Sequence, residues 1–189
     1  MKLMSGRALR RGMFVPIAGA VIHVACVPAA WASHVGDELE ADQQVVASTN
    51  QLLTALGQYE RLAPAQRSAA LQRLTQLAAQ RRARMLVLLE NHPKLAALRT
   101  LPSAVRGRIP AEVQPLLERE LTLSGTITAV IGDDFDRGHS HLTLSVVGSA
   151  GERLQLRLAD ATEREQLAMV GKRGSLTGLQ FDKHLLAAL

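Results

Sequence analysis

The chain has 189 residues, of which 47% are hydrophobic and only 3% aromatic, and its formal net charge is +5. Four of its 22 basic residues and none of its 17 acidic residues lie in the first 32 positions, so the remaining chain carries 18 basic and 17 acidic residues and is nearly neutral. This balance and the shortage of aromatic side chains on which bases could stack argue against nucleic acid as a partner.

The first 32 residues have the pattern of an export signal. A basic start is followed by an apolar stretch from Met13 to Val27, and Ala30 and Ala32 form the small-x-small site that signal peptidase requires. We therefore expect cleavage between Ala32 and Ser33, which would give a secreted or periplasmic protein without a stable membrane anchor.

The only cysteine, Cys26, lies inside this signal, so the mature chain can form no internal disulfide. Val24-Ala25-Cys26 also resembles the end of a lipoprotein box, which leaves lipidation of Cys26 as an alternative to cleavage after Ala32. His23 stands where such boxes usually carry an aliphatic residue, and this favours cleavage. A spanning anchor is disfavoured, because it needs about 20 apolar residues and this run is shorter.

Residues 33–117 are rich in Leu, Ala, Gln and Arg, which are good helix formers. We predict one long helix over Glu38–Leu62 and a second from Pro64 to about Glu90, because apolar residues recur at helical spacing in both. Asn91-His92-Pro93 ends the second helix, since the residue before proline avoids helical geometry. Three short helices are predicted beyond it, over Lys94–Arg99, Ser103–Arg108 and Ala111–Leu117.

The remaining residues change to the alternating apolar pattern of strands. A long first strand is predicted over Glu120–Ile131, with Gly125 as the place where it bends. A polar loop over Gly132–Gly138 follows. The other predicted elements are strands over His141–Val146, Arg153–Leu158, Gly171–Leu179 and Leu185–Leu189 and a short helix over Ala161–Met169.

This order of elements is typical of an OB-like barrel. We therefore expect an α+β fold, in which an N-terminal helical segment of two long helices and several short ones precedes a small antiparallel OB-like β-barrel. The expected organisation is a signal peptide over residues 1–32, a helical region over 33–117 and an OB-like domain over 118–189. A partly open barrel or a simple antiparallel sheet is the alternative, because the fifth strand has a weak pattern.

Six short motifs follow one another in the second half of the chain. They are Leu101–Gln114, Leu117–Glu120, Leu123–Thr126, Asp133–Phe135, Glu152–Leu156 and Gly171–Gly178. Their order resembles the non-catalytic N-terminal region of secreted bacterial proteins related to gametolysin-type metallopeptidases. The resemblance covers about Met85 to Gln180 and implies a helical segment and an OB-like module that precede a peptidase domain.

Catalytic motifs are missing from the sequence. The zinc helix of that family carries His-Glu-x-x-His, which this chain does not contain. The resemblance therefore implies an accessory or pro-region-like module and assigns no catalytic, cofactor-binding or metal-ligating residue. The mature sequence also has no cysteine, no Gly-x-Ser-x-Gly elbow and no phosphate-binding glycine loop.

Two polar clusters could still bind a ligand. Arg81-Arg82-Ala83-Arg84 is the densest basic run, and we interpret it as the solvated face of the second helix. The other cluster could offer oxygen and imidazole ligands to a divalent ion, but its spacing is not that of an EF-hand, and we interpret it as a solvated hairpin tip. Its members are Asp133, Asp134, Asp136, His139 and His141.

The sequence thus predicts an exported, non-catalytic binding or accessory module without a cofactor. Its expected partner is a protein or peptide, such as a peptidase domain, rather than nucleic acid. Two alternatives stay open. The chain could be the N-terminal fragment of a secreted zinc peptidase whose catalytic domain is absent here, or a small periplasmic metal-handling protein.

Overall fold

The computed structural model describes residues 29–134 and 139–188. The predicted signal peptide lies outside this range except for its last four residues, so cleavage after Ala32 and the state of Cys26 stay predictions. Within the described ranges, no helix combines the length and the apolar character that crossing a bilayer requires.

A helical hairpin forms the first part of the fold. Helix α1 spans Ala29–Arg61 and helix α2 spans Arg67–Asn91, with a 3₁₀ turn over Pro64–Gln66 between them. The break at Pro64 is confirmed. Helix α1 begins earlier than the predicted Glu38, because the alanine-rich segment before that residue contains no proline to stop it.

Short helical turns connect the hairpin to the sheet. Helix α3 spans Pro93–Leu98 and helix α4 spans Ser103–Arg106, close to their predicted positions. Only a 3₁₀ turn, Gln114–Leu116, forms where a helix over Ala111–Leu117 was predicted. Its second residue is a proline, which removes a backbone N–H that a longer helix would need.

Five strands and one helix form the second part. Strand β1 spans Arg119–Asp134, β2 spans His139–Gly148 and β3 spans Arg153–Leu158. Helix α5 spans Glu163–Met169, β4 spans Arg173–Phe181 and β5 spans His184–Ala187. All six elements were predicted, but β1 and β2 are longer than expected, and β1 takes up the first three residues of the predicted loop.

The five strands close in a ring in the order β1-β2-β3-β5-β4, with β4 paired again to β1. Four of the strand pairs are antiparallel, whereas β3 and β5 run parallel. The sheet is therefore mixed. The antiparallel character predicted for the barrel, and for the simple sheet that was its alternative, is therefore wrong for the β3–β5 pair.

Gly125 is the point at which β1 changes its neighbours. It lies opposite Gly148 of β2 and opposite Gly174 of β4, so both partners flank the chain there. A Cβ at this position would overlap the carbonyl group of Val147. Only glycine permits so close an approach, which accounts for the predicted special role of this residue.

Hydrophobic clusters hold both parts together. One fills the ring and a second lies within the helical region. A third joins the two parts, because Phe181 and Leu186 of the sheet pack against α1, α2 and α3. Its buried helical members are Val45, Met85, Leu88, Leu89 and Ala96.

Candidate functional site

The acidic and histidine cluster lies at the end of the β1–β2 hairpin. The ladder places Asp134 opposite His139 and Gly132 opposite His141, while Asp136 lies outside the described residues. Of this cluster, the structure describes only the side chain of His141, and among the side chains that it does describe no three His, Cys, Asp or Glu are grouped to hold a metal ion. The interpretation of this cluster as a solvated hairpin tip therefore stays a prediction.

Arg81 of the basic cluster does not lie on a solvated face, which corrects the sequence interpretation for this residue, whereas Arg82 and Arg84 are half-buried and Ala83 is exposed. The Arg81 side chain is 1% exposed and that of Glu118 is 0% exposed. Arg81 donates from Nη1 to Glu118 Oε2 over 2.7 Å and from Nη2 to Glu118 Oε1 over 3.0 Å. This bidentate, charge-assisted pair joins the middle of α2 to the residue that directly precedes β1.

Further hydrogen bonds extend this buried pair to other elements. Arg81 donates from Nε to Thr49 Oγ1 on α1 and from Nη2 to the carbonyl oxygen of Arg99, each over 3.0 Å. Glu118 also accepts from the backbone N–H of Leu101. The pair thus ties α1, α2, the α3–α4 connection and the start of β1 together, so its role is structural.

The other two arginines of the run are also engaged. Arg82 donates to the carboxylate of Asp182 over 3.0 Å and to the carbonyl oxygen of Pro115 over 3.3 Å. Arg84 donates to the carbonyl oxygen of Gln44 on α1 over 3.3 Å. These contacts connect α2 to its neighbours, and the run presents no converging set of cations for an anionic ligand.

A second polar group lies between the ring and the helices. His184 of β5 is on the same strand face as Leu186, which packs against the helices. Its Nε2 lies 3.8 Å from Glu90 Oε1 of α2. Neither ring nitrogen, nor Nε of the neighbouring Arg157, has a hydrogen-bond partner among the described residues.

Burial determines the charge state of this second group. It lowers the pKa of the His184 imidazole, the cation of Arg157 lowers it further, and the carboxylate of Glu90 opposes both effects. Burial also lowers the pKa of the Arg157 guanidinium. The lowered pKa of His184 favours its neutral imidazole in the folded protein.

The surface feature that best suits a partner is the free edge of β1. Strand β1 pairs with β4 only over Arg119–Thr126, and one further residue, Ile127, bonds to the backbone of Gly171 and Lys172. Residues 128–134 continue beyond β4 and pair only with β2 among the described strands. We call residues 128–134 together with the β2 residues opposite them, 139–145, the β1–β2 arm.

The direction of the free backbone groups follows from the ladder. Both polar backbone groups of Ile127 point toward the β4 side, where they are bonded. Because these directions alternate along a strand, the N–H and C=O groups of Ala129, Ile131 and Asp133 point the same way. No strand of the described residues covers them.

Apolar side chains accompany this edge. Val130 is 59% exposed and Ile131 is 63% exposed, and the two lie on opposite faces of β1. An exposed strand edge with apolar side chains is a template for pairing with another chain. The lengths of the predicted strands hinted at such an overhang, but only the pairing register reveals it.

The chain matches no protein-family model, no curated protein and no solved structure. The resemblance to the N-terminal region of gametolysin-related proteins therefore stays a prediction.

Proposed function

We propose that this chain is an exported, non-catalytic binding module with an OB-like barrel, and that it binds an extended protein or peptide segment along the free edge of β1. The OB-like assignment is supported by the ring order β1-β2-β3-β5-β4 and by helix α5 between β3 and β4. The export signal, read from the sequence, supports a location outside the cytoplasm.

The observation that carries the proposal is the overhang of β1. The backbone groups of Ala129, Ile131 and Asp133 can bond to an added strand without disturbing the β1–β2 ladder. Val130 and Ile131 would lose exposed apolar surface on either face of the extended sheet. Backbone bonds would supply affinity, and the alternating side chains of the guest would supply selectivity.

The polar side chains support a binding role rather than catalysis. Arg81 and Glu118 are buried and mutually bonded, and Asp42 is held by two hydrogen bonds from Arg99 of 2.6 and 2.7 Å. His184 lies under the helices rather than at an open surface. The resemblance noted from the sequence makes a peptidase domain one suitable source of the guest segment.

A displayed library of random peptides tests the binding proposal. The purified protein, used at low concentration, should enrich peptides that alternate apolar and polar residues. Ile131→Pro should abolish the enrichment, because it removes an outward N–H and leaves the β1–β2 bonds intact. The control is Leu98→Lys, which changes an apolar side chain that is 69% exposed on α3.

Two results would contradict the proposal. One is a library that shows no enrichment over an unrelated protein. The other is an enrichment that Ile131→Pro leaves unchanged while circular dichroism shows both proteins folded. Separately, zinc-dependent cleavage of an unfolded protein substrate that survives repurification would refute the non-catalytic assignment.

A further inference from the structure

We infer that the partner at the free β1 edge is a second copy of this chain, paired antiparallel so that the two arms form one continuous sheet. The inference rests on the proposed function, because it names the partner of the same edge. It draws on the end point of β4, on the exposed apolar pair and on the distribution of charge along the edge.

The end of β4 limits the register of such a pairing. The backbone of Gly171 and Lys172 occupies the edge at Ile127, so an added strand can extend only as far as Thr128. In an antiparallel pair related by a twofold axis, placing Ile131 opposite its own copy fills the edge from Thr128 to Asp134. A register centred on Ala129 would drive the incoming strand into Lys172.

This register uses all the outward groups of the arm. Ala129 of each copy would exchange hydrogen bonds with Asp133 of the other, and the two Ile131 residues would bond to each other. On one face of the joined sheet, Val130 of each copy would lie near Val130 of the other. On the opposite face, the two Ile131 side chains would lie side by side. Aliphatic pairs across neighbouring strands each add a few tenths to about 1 kcal/mol.

The charges along the edge favour the same arrangement. Lys172 and Arg173 are exposed and lie at the base of the β1–β2 arm, which is the point where the pairing of β4 with β1 ends. The acidic positions Asp133 and Asp134 lie at its tip. An antiparallel pairing sets the strand positions of Asp133 and Asp134 in one copy close to the positions of Lys172 and Arg173 in the other, twice by symmetry, whereas a parallel pairing would set positions of like charge together.

The strength of the dimer follows from its size. So short an edge buries less than the roughly 1,200 Å² of a standard interface, so the dimer should be weak and dependent on concentration. Its electrostatic component should weaken further in salt, because exposed charges are screened.

Sedimentation velocity over a range of concentrations tests the inference. The wild-type protein should change reversibly from monomer to dimer, and Ile131→Pro should remain monomeric throughout. Leu98→Lys, which alters an exposed apolar residue away from the arm, should dimerise like the wild type.

A charge exchange tests the register without relying on proline. Lys172→Glu and Asp134→Lys should each raise the dissociation constant at least tenfold, and the double variant should recover most of the loss. Dimerisation that persists in Ile131→Pro, or single and double charge variants with equal affinity, would overturn the inference.

The inference can fail separately from the proposed function. The wild-type protein could stay monomeric at its highest soluble concentration and still enrich peptides that Ile131→Pro cannot bind. That result would refute the dimer and would still support the proposed binding module. The opposite result is also possible to distinguish. If the edge variants change dimerisation as expected but the peptide library shows no enrichment, the free edge of β1 serves self-association and does not bind other peptides.

Discussion

Mutation of the buried Arg81–Glu118 pair should lower the free energy of unfolding more than mutation of the exposed ion pairs. Glu118→Leu removes the carboxylate and leaves the Arg81 guanidinium, which is 1% exposed, without its counter-charge. Breaking one partner of such a pair costs about 3–5 kcal/mol. A typical domain has only about 5–15 kcal/mol of stability in total, so we expect this variant to be marginally folded.

The double variant Arg81→Met, Glu118→Leu should recover much of this loss, because it leaves no buried charge. It still removes the partners of the Arg99 carbonyl and the Leu101 N–H, and a buried unpaired group costs about 1–3 kcal/mol. We therefore expect the double variant to be more stable than Glu118→Leu but less stable than the wild type.

Urea unfolding followed by circular dichroism measures these differences. Lys94→Gln is the matched control, since it breaks the ion pair with Asp160 in which the two side chains are 74% and 60% exposed. It should leave the unfolding midpoint unchanged within error. A Glu118→Leu variant as stable as this control would refute the structural role of the buried pair.

Three further predictions concern single sites. Gly125→Val should destabilise the fold by about 1–3 kcal/mol, because its side chain would overlap the Val147 carbonyl; an unchanged melting temperature would contradict this. The pKa of His184 is lowered in the folded state, so the unfolded state binds more protons and the free energy of unfolding should fall as the pH drops below about 6.5. The His184→Asn variant should lose less of its free energy of unfolding than the wild type between about pH 7 and pH 5. Zinc or calcium should not raise the melting temperature of the wild type. If either ion raises it, and the double variant His139→Ala, His141→Ala abolishes the increase, the chain is a metal-handling protein instead.

The sequence predicted most elements of the fold because each rests on a local signal. Helical and alternating apolar periods identified the two long helices and the first three strands, whereas the fifth strand had only a weak pattern. Pro64 marked the break in the hairpin. Local signals failed at Pro115, where a proline inside a predicted helix left only a 3₁₀ turn.

The buried arginine could not be predicted in this way. A cation in the middle of a helix usually indicates a solvated face, and Arg81 stands beside two other basic residues. Its partner Glu118 lies 37 positions along the chain, so no periodic pattern connects them. The basic run at Arg81–Arg84 thus contains a buried polar contact at its first residue rather than a fully solvated face.

The candidate site depended on register, which the sequence did not determine. The first strand was predicted to be longer than its neighbours, and the structure gives 16 residues for β1 against 9 for β4. Where β4 ends along β1 decides which backbone groups stay unpaired. That end point lies in the register between the two strands, which the alternation within either strand does not reveal.

Amide hydrogen exchange resolved by residue tests the central claim most directly, namely that the outer edge of β1 is free and receives a strand. In dilute protein the amides of Ala129 and Ile131 should exchange rapidly, while those of Thr128 and Val130, which face β2, should be protected. Raising the protein concentration, or adding an enriched peptide, should slow exchange at the outward amides of Ala129, Ile131 and Asp133 and leave the amides of Thr128 and Val130 unchanged. Protection of the Ala129 and Ile131 amides in dilute protein, or exchange that neither partner slows, would contradict the account.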